Sequence, residues 1–229
     1  MTTRPSRRHA LLLLAGVAVS ARARAQTPPA SPAPPVARPV VPPSAIDKTK
    51  AYYVFFEQNI DIASMRTLRQ QLANLVEAGV SEITLVIASG GGQIEPALIA
   101  YSFIQALPAK INTHAEGFVQ SAATLLFLAG EERSADRNAQ FVFHPSQATV
   151  SGLLGEEQIR ERLDVFRAIV AIDAQIYHDR TKLPDAEFER FTRETVTYTA
   201  EQARAFGIVQ TVGDLRLPGE GRSRVLFLN

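Results

Sequence analysis

The chain contains 229 residues, of which 46% are hydrophobic and 21% charged, a composition typical of a globular protein with one substantial core. Its first 43 residues hold six of the 24 basic residues and none of the 23 acidic ones, which leaves 18 basic against 23 acidic residues, a side-chain charge of about −5. This charge argues against a nucleic-acid partner, and the lack of cysteine excludes disulfide bonds, thiolate nucleophiles and Cys-ligated metals. The four histidines have no metal-binding spacing, so no metal or cofactor is expected.

The amino-terminal residues have the organisation of an export signal. Residues 4–8 are basic, residues 10–19 form an apolar run, and small residues offer a cleavage site before Gln26. We therefore expect residues 1–25 to be a signal peptide and the mature protein to be periplasmic or secreted. Two adjacent arginines resemble a twin-arginine signal, but the export route stays open. Ten apolar residues are too few to span a bilayer comfortably, so cleavage is favoured over a retained membrane anchor.

The next segment, residues 26–45, is rich in proline and alanine. Eight prolines lie between residues 27 and 43, and Arg38 is the one charged residue of the segment. Such a composition cannot bury a core and predicts an extended, semi-rigid linker. The folded domain is then expected to span residues 46–229.

From residue 51 onward, buried strands alternate with amphipathic helices. Strands are expected at residues 51–56, 82–88, 110–114 and 140–144, and helices at residues 65–78, 96–107 and 121–129. Ser64 is the expected N-cap of the first helix, and Pro96 suits the first turn of the second. This alternation predicts an α/β fold with a mostly parallel sheet and helices on its faces.

The pattern changes after Gly155, where residues 156–180 are expected to form a single long helix. In the second half of this helix, apolar residues occupy more than the one face that packing against a core requires. This pattern indicates contact with another subunit. Shorter helices at residues 185–193 and 200–206 and a small strand at residues 208–212 complete the prediction.

The segment GFVQSAATLLFLA, residues 117–129, indicates a strand end that turns into a helix at Ser121. A sharp turn exposes the serine hydroxyl, and the helix N-terminus supplies free N–H groups and the positive end of the helix dipole. A nucleophile and its developing oxyanion need both. Serine is also a favoured N-cap, so this position alone does not identify an enzyme.

Two further features strengthen the case for a catalytic site. The run Gly90-Gly91-Gly92 follows a buried strand and lets backbone N–H groups approach a ligand closely, although a flexible turn would have the same sequence. His144 ends an apolar strand, where open α/β sheets place their ligand crevice, and a histidine there can act as a general base. His114 is the runner-up, with a structural role favoured.

Residues 51–212 resemble the Clp-type serine peptidases, the proteolytic subunit of the ATP-dependent protease, within the wider Clp/crotonase fold. The segments IASGGGQI, GFVQSAA and FVFHPS are similar to the family's INSPGG, GQAASM and MIHQP segments. The predicted long helix looks like the family's handle helix, and TAEQARAFGIV is similar to its SAPEAxxYGLVD ending. The resemblance implies repeated ββα and βα units with a mostly parallel sheet and a protruding handle helix.

The resemblance also implies the roles of individual residues. Ser121 would be the nucleophile and His144 the base, and the backbone N–H groups of Gly92 and Ala122 would form the oxyanion hole. The third triad member of the family is an aspartate, and the aligned residue here is Thr195.

The replacement of the aspartate by threonine lowers the turnover expected of the site. A threonine hydroxyl can accept a hydrogen bond from histidine but brings no charge to stabilise the imidazolium, and neutralising the aspartate of a serine protease lowers turnover about 10⁴-fold. Three outcomes are open. Thr195 orients a slow dyad, Glu194 swings in as the carboxylate, or the site is inactive.

Together these features predict an exported Clp-like serine peptidase that hydrolyses peptides or unfolded chains through an acyl-enzyme. A homo-oligomeric ring is expected from the handle-like helix, with no membrane span once the signal is removed. No unfolding ATPase is expected to assist, because ATP is cytoplasmic and the sequence has no nucleotide-binding motif. One alternative is a catalytically silent oligomeric scaffold or binding protein of the same fold. A second is a crotonase-type acyl-CoA enzyme, which the export signal disfavours.

Overall fold

A computed structural model describes residues 40–148, 150–219 and 221–228, all within one compact unit. The signal peptide predicted at residues 1–25 and the linker up to residue 39 lie outside the described residues. Val41, inside the predicted linker, donates its N–H to Gln71 Oε1 at 2.8 Å, and its carbonyl accepts a bond from Asn74 Nδ2 at 2.9 Å. The packed part of the chain therefore begins before residue 46.

Strands and helices alternate through most of the described chain. The strands are β1 (Ala51–Phe56), β2 (Glu82–Ser89), β3 (Lys110–Gln120), β4 (Arg133–Ala135), β5 (Gln140–Phe143), β6 (Val196–Thr199), β7 (Thr211–Val212) and β8 (Ser223–Leu228). The helices are α1 (Ile62–Glu77), α2 (Ile94–Gln105), α3 (Ala122–Leu128), α4 (Glu156–Arg180), α5 (Asp185–Phe191) and α6 (Ala200–Ala205), preceded by a short 3-10 helix at Pro43–Ala45.

The described strands form one sheet in the order β6-β5-β3-β2-β1-β8, with β4 paired to both β3 and β7. All pairs are parallel except β5 with β6. Parallel strands joined by helices are buried on both faces, which explains the continuous apolar runs in β1 and β2. The α/β fold with a mostly parallel sheet is therefore confirmed.

The core lies between the sheet and the helices packed on it. Phe56 and Leu85 of neighbouring strands are fully buried, as are Leu68 of α1 and Phe127 of α3. Phe127 packs edge-on against Phe141 of β5, with ring centroids 5.0 Å apart. Because α3 is buried along its whole length, the turn that precedes it is held on a rigid support.

A local irregularity in β3 determines where that turn lies. Ile87 of β2 pairs with Ala115, but Ser89 pairs with Val119, so β3 has extra residues at this point, including Gly117 with φ 67°. Such a bulge bends a strand. The first half of β3 pairs with β4, whereas its end pairs with β5. The bend therefore delivers the end of β3 to the edge where β5 also ends.

Several element boundaries differ from the sequence prediction. The N-cap of α1 is Asp61, and Ser64 is instead the third helical residue of a capping box, in which Asp61 accepts from the Ser64 N–H at 2.8 Å. β3 runs on to Gln120, past the predicted end at residue 114. The strand predicted at residues 208–212 is reduced to Thr211–Val212, because the N–H of Ile208 still bonds to the α6 carbonyl of Ala203 at 2.9 Å.

The long helix α4 has the predicted bounds, residues 156–180. Its apolar residues Ile159, Leu163, Val165 and Ile172 are exposed in the single chain. No helix of the described chain is both long and apolar enough to cross a membrane.

Candidate active site

The turn at Ser121 has an unusual backbone. Its φ of 51° is the one positive φ of a non-glycine residue in the described chain, with ψ at −129°. Residues in such sparsely populated regions cost about 1–3 kcal/mol each and persist where the surroundings hold them. Here the Ser121 N–H donates to the Val142 carbonyl at 2.8 Å, and the Ser121 carbonyl accepts from the Thr124 N–H at 2.9 Å. The side chain makes no capping bond to α3, so helix capping does not account for this serine.

The glycine turn predicted beside the serine lies directly against it. Gly91 has φ 86°, and a Cβ there would lie 2.5 Å from the Gln120 carbonyl oxygen and 2.9 Å from the Ser121 Cβ. Gly92 has φ 147°, and a Cβ there would lie 2.2 Å from the Ile60 carbonyl oxygen. Both positions therefore require glycine, whereas a Cβ at Gly90 would meet nothing within 4 Å.

The backbone N–H groups predicted for the oxyanion hole are free in the described structure. Neighbouring groups of the glycine turn are paired, since the Gly91 N–H donates to Ser89 Oγ at 3.1 Å and the Gln93 N–H to the Ile60 carbonyl at 2.9 Å. No described acceptor binds the N–H of Gly92 or Ala122. Ala122 follows Ser121 directly and lines the cavity beside it, whereas Gly92 does not line that cavity. The oxyanion role of both groups stays a prediction.

A cavity of about 190 Å³ opens beside Ser121. Both predicted catalytic residues, Ser121 and His144, line it, as does the oxyanion candidate Ala122. Its walls are mainly apolar and come from α2, α3, β5, α4 and α5. The remaining lining residues are Ile94, Leu125, Phe143, Pro145, Ser146, Phe166, Val170, Asp173, Tyr177, Phe188, Phe191 and Thr192. The structure thus brings together the serine and the histidine that the sequence analysis singled out.

His144 is half-buried and has a defined tautomer. Its Nδ1 lies 2.9 Å from the Pro145 carbonyl oxygen, and since a carbonyl can only accept, Nδ1 carries the proton. In the neutral imidazole Nε2 then keeps its lone pair, as a general base requires. No hydrogen bond joins Ser121 Oγ to His144 within the described residues, and such bonds commonly tighten only when substrate binds.

The predicted third member is not beside the histidine. Thr195 is exposed in the connection between α5 and β6 and does not line the cavity, which contains Thr192 instead. Glu194 is exposed as well and accepts from Arg190 Nε at 2.9 Å. The acceptor at His144 Nδ1 is therefore a backbone carbonyl, and neither proposed side chain takes that place in this structure.

The sequence analysis missed an acidic residue in the same cavity, Asp173 of α4. Its Oδ1 is buried and has no hydrogen-bond partner in the described chain. Burial raises the pKa of this carboxyl from 3.8 to about 7. The residue was detectable, since it lies among Ile169, Val170, Ile176 and Tyr177 at helical spacing on the apolar side of α4.

Tyr177, one helical turn after Asp173, is buried and hydrogen-bonded to Thr124 Oγ1. Burial raises the pKa of Tyr177 above its usual value, and the negative charge of Asp173 raises it further. Thr124 Oγ1 also donates to the Ser121 carbonyl at 2.6 Å. The tyrosine therefore supports the serine turn through Thr124 and is held as a neutral phenol.

A second set of triad-type residues lies elsewhere, around His114. Ser134 Oγ is 2.8 Å from His114 Nδ1, and Asp136 Oδ1 is 3.0 Å from His114 Nε2. Asp136 also accepts from the Leu215 N–H at 3.0 Å. His114 is 2% exposed, so this cluster joins β3, β4 and the following chain inside the fold. The described residues contain no group of His, Asp and Glu able to hold a metal ion.

Comparisons with known proteins find relatives of this chain. A family model described as Clp protease matches residues 45–216. The ATP-dependent Clp protease proteolytic subunit 1 of Streptomyces avermitilis is 25% identical over 198 residues, covering 80% of this chain and 89% of that protein. Subunit 3 of the same protease from Rhizobium meliloti is 24% identical over 165 residues, covering 71% of this chain and 84% of that protein.

Solved structures show the same fold. A ClpP1 mutant from Listeria monocytogenes superposes with a TM-score of 0.61 at 22% sequence identity, covering 72% of this chain and 92% of that chain. The family match extends over the described strands except β8, over the residues that line the cavity and over the whole of α4.

Proposed function

Because the chain belongs to the Clp protease family, we propose that it is a serine peptidase that cleaves peptides or unfolded chains outside the cytoplasm through an acyl-enzyme on Ser121. The observation that carries the proposal is the strained, non-capping Ser121 on the cavity that also contains His144. Strain at a serine turn is typical of a nucleophile, because it aims the hydroxyl away from the backbone.

The proposed reaction uses groups already described. His144 Nε2 takes the proton of Ser121 Oγ as the oxygen attacks the scissile carbonyl, and the N–H groups of Gly92 and Ala122 stabilise the resulting oxyanion. The imidazolium then protonates the leaving amine, and the C–N bond breaks to give the acyl-enzyme. Water, activated by the same histidine, releases the acyl group and restores Ser121.

The reaction proceeds without a carboxylate on His144. The Pro145 carbonyl at Nδ1 supports the required tautomer, which is one of the two functions of a triad aspartate. It does not supply the negative charge that stabilises the imidazolium. We therefore expect a slow enzyme, with turnover reduced up to about 10⁴-fold relative to a complete triad.

Cleavage of an unfolded protein tests this proposal. The purified protein should release fluorescence from heavily labelled casein without ATP, and Ser121→Ala should abolish that release. Ser146→Ala is the matched control, because Ser146 lines the same cavity without the strained backbone, and it should retain activity. Activity that survives in Ser121→Ala would contradict the proposal.

Export and assembly are part of the proposal and rest on different observations. Export is supported by the sequence of residues 1–25, and sequencing of the mature chain from a periplasmic fraction should give Gln26 as its first residue. Assembly as a homo-oligomeric ring is supported by the exposed apolar residues of α4, including Leu163 and Ile172. Light scattering should give a multiple of the chain mass, and Leu163→Glu should reduce it.

A catalytically silent scaffold is the second candidate. It is favoured by the exposed Thr195 at the position of the family's aspartate and by the engagement of Glu194 with Arg190. In that case well-folded, oligomeric protein would cleave no casein under any condition tested.

A further inference from the structure

The cavity beside Ser121 combines apolar walls with one half-buried acidic residue, Asp173, whose Oδ1 atom is fully buried. Phe143, Phe166, Val170 and Phe188 supply aromatic and aliphatic surface, and Asp173 Oδ1 is the buried oxygen without a partner among the described residues. An apolar pocket with one acidic group that lacks a partner matches an amphipathic ligand, whose stem contacts the walls and whose polar head bonds to the acidic group.

Tyr177 and His144, which line the cavity with Asp173, already donate their hydrogens to other groups. Thr124 Oγ1 donates its hydrogen to the Ser121 carbonyl, so the hydrogen between Thr124 and Tyr177 comes from the tyrosine hydroxyl. The Nδ1 hydrogen of His144 is donated to Pro145. Neither donor is therefore available to the carboxyl of Asp173, and no described group bonds to its Oδ1.

The position of the cavity indicates which part of a substrate enters it. Ser121 Oγ attacks the scissile carbonyl, and Ser121 and Ala122 both line the cavity. The side chain of the residue that carries this carbonyl is attached next to the reacting carbon. It is therefore the substrate side chain that lies closest to the opening of the cavity. A peptide bound for cleavage therefore places that side chain between the apolar walls, with its end toward Asp173 of α4.

We propose that Asp173 makes this cavity a specificity pocket for a cationic side chain, arginine or lysine, on the residue that precedes the cleaved bond. The inference rests on the proposed peptidase activity of Ser121. The methylene stem of either residue covers the apolar walls, and its charged end donates to Asp173 Oδ1. An aliphatic side chain fills the same walls but leaves the carboxyl buried and unpaired.

The raised pKa of Asp173, about 7, supports this assignment. Without a ligand the buried carboxyl resists ionisation, and a cation in the pocket favours the charged form. The other titratable groups that line the cavity are His144 and Tyr177. Cleavage after arginine should therefore gain over cleavage after an aliphatic residue as the pH rises from 6 to 8, because the contribution of His144 is common to both substrates and cancels in the ratio.

Peptide amides that differ only in the residue before a fluorogenic leaving group test the proposal. The arginine and lysine substrates should exceed the norleucine substrate in kcat/KM by at least about tenfold, the factor that one lost hydrogen bond to a charge produces. Asp173→Asn should remove this preference, and Asp173→Met should reverse it. Asp179→Asn is the control, since Asp179 is an exposed carboxylate of the same helix, bonded to Gln175, and the preference should persist there.

Failure of the inference can be separated from failure of the peptidase proposal. If norleucine is preferred, or if the arginine preference survives in Asp173→Asn, the pocket assignment is wrong while the peptidase proposal stands. If no substrate is cleaved, the binding of peptides tests the pocket assignment instead. Calorimetry with Ser121→Ala should show N-acetyl-Ala-Ala-Arg binding more tightly than N-acetyl-Ala-Ala-norleucine, with the difference lost in Ser121→Ala/Asp173→Asn. Equal affinities, or no binding of either peptide, would overturn the inference.

Discussion

Two clusters of this protein contain a serine beside a histidine, and their comparison shows what separates a structural network from a candidate active site. Around His114, serine, histidine and aspartate are all present and hydrogen-bonded, but the imidazole is buried and does not line the cavity. Around His144 no carboxylate bonds to the imidazole, yet Ser121 is strained and borders a cavity, and the N–H of the neighbouring Ala122 has no described acceptor. Residue types alone would select the first cluster, whereas access, strain and oxyanion donors select the second.

Histidine substitutions in the two clusters should have opposite consequences, and this is the largest effect expected. His144→Ala removes the general base, so casein hydrolysis should fall about 10²- to 10⁴-fold while the free energy of unfolding stays nearly unchanged. His114→Ala should leave the rate per folded molecule unaltered. Steady-state rates normalised to folded protein check both, and a large rate loss in His114→Ala alone would invert the comparison.

The substitution Gly91→Ala should lower the rate of casein hydrolysis, although it changes no reacting group. The added Cβ would overlap the Gln120 carbonyl and the Ser121 Cβ, so the turn must move. Displacements of this kind cost about 100-fold in rate. Gly90→Ala is the matched control, because its Cβ would meet nothing within 4 Å, and its rate should equal that of the native protein. Equal rates for both variants would show that the glycine turn does not position the serine.

The His114 cluster should contribute to stability. Removing the imidazole in His114→Ala leaves Ser134 and Asp136 without their buried partner, which should lower the free energy of unfolding by about 1–3 kcal/mol. His178→Ala, at an exposed position of α4, should change it little. Urea denaturation measures both, and equal stabilities would mean that the cluster around His114 is not structural.

Asp173 should make the stability of the folded protein depend on pH. The unfolded chain releases this proton near pH 4, whereas the folded chain keeps it to about pH 7, the raised pKa of this carboxyl. The folded state therefore loses stability as the pH rises through this window, and the loss is complete above it. Relative to the native protein, Asp173→Asn should gain stability between pH 4 and pH 8, while Asp179→Asn should not. Parallel pH profiles for the native protein and Asp173→Asn would contradict this expectation.

The sequence was sufficient for the parts of the fold that depend on local patterns. The bounds of α4 follow from its apolar periodicity, and the alternation of strands and helices predicted the parallel sheet. β8 was not predicted, because its pairing with β1 joins residues 223–228 to residues 51–56 across almost the whole domain. The short strands β4 and β6 carry too few residues for a periodic signal.

The candidate site was predictable to a similar extent. Ser121, His144 and the glycine turn were found because turns and strand ends have sequence signatures. The group that holds the histidine tautomer was not, because it is the Pro145 carbonyl and a backbone carbonyl leaves no mark in the sequence. Asp173 was missed because the apolar positions of α4 were considered without the polar residue among them.

The most direct test of the central claim is to map the adduct of a fluorophosphonate probe by mass spectrometry. Such probes react with a serine hydroxyl that a base activates next to an oxyanion site, which the described structure offers at Ser121. We predict one adduct on the peptide that contains Ser121 and its loss in His144→Ala. An adduct on Ser134, or no adduct on folded protein, would contradict the account.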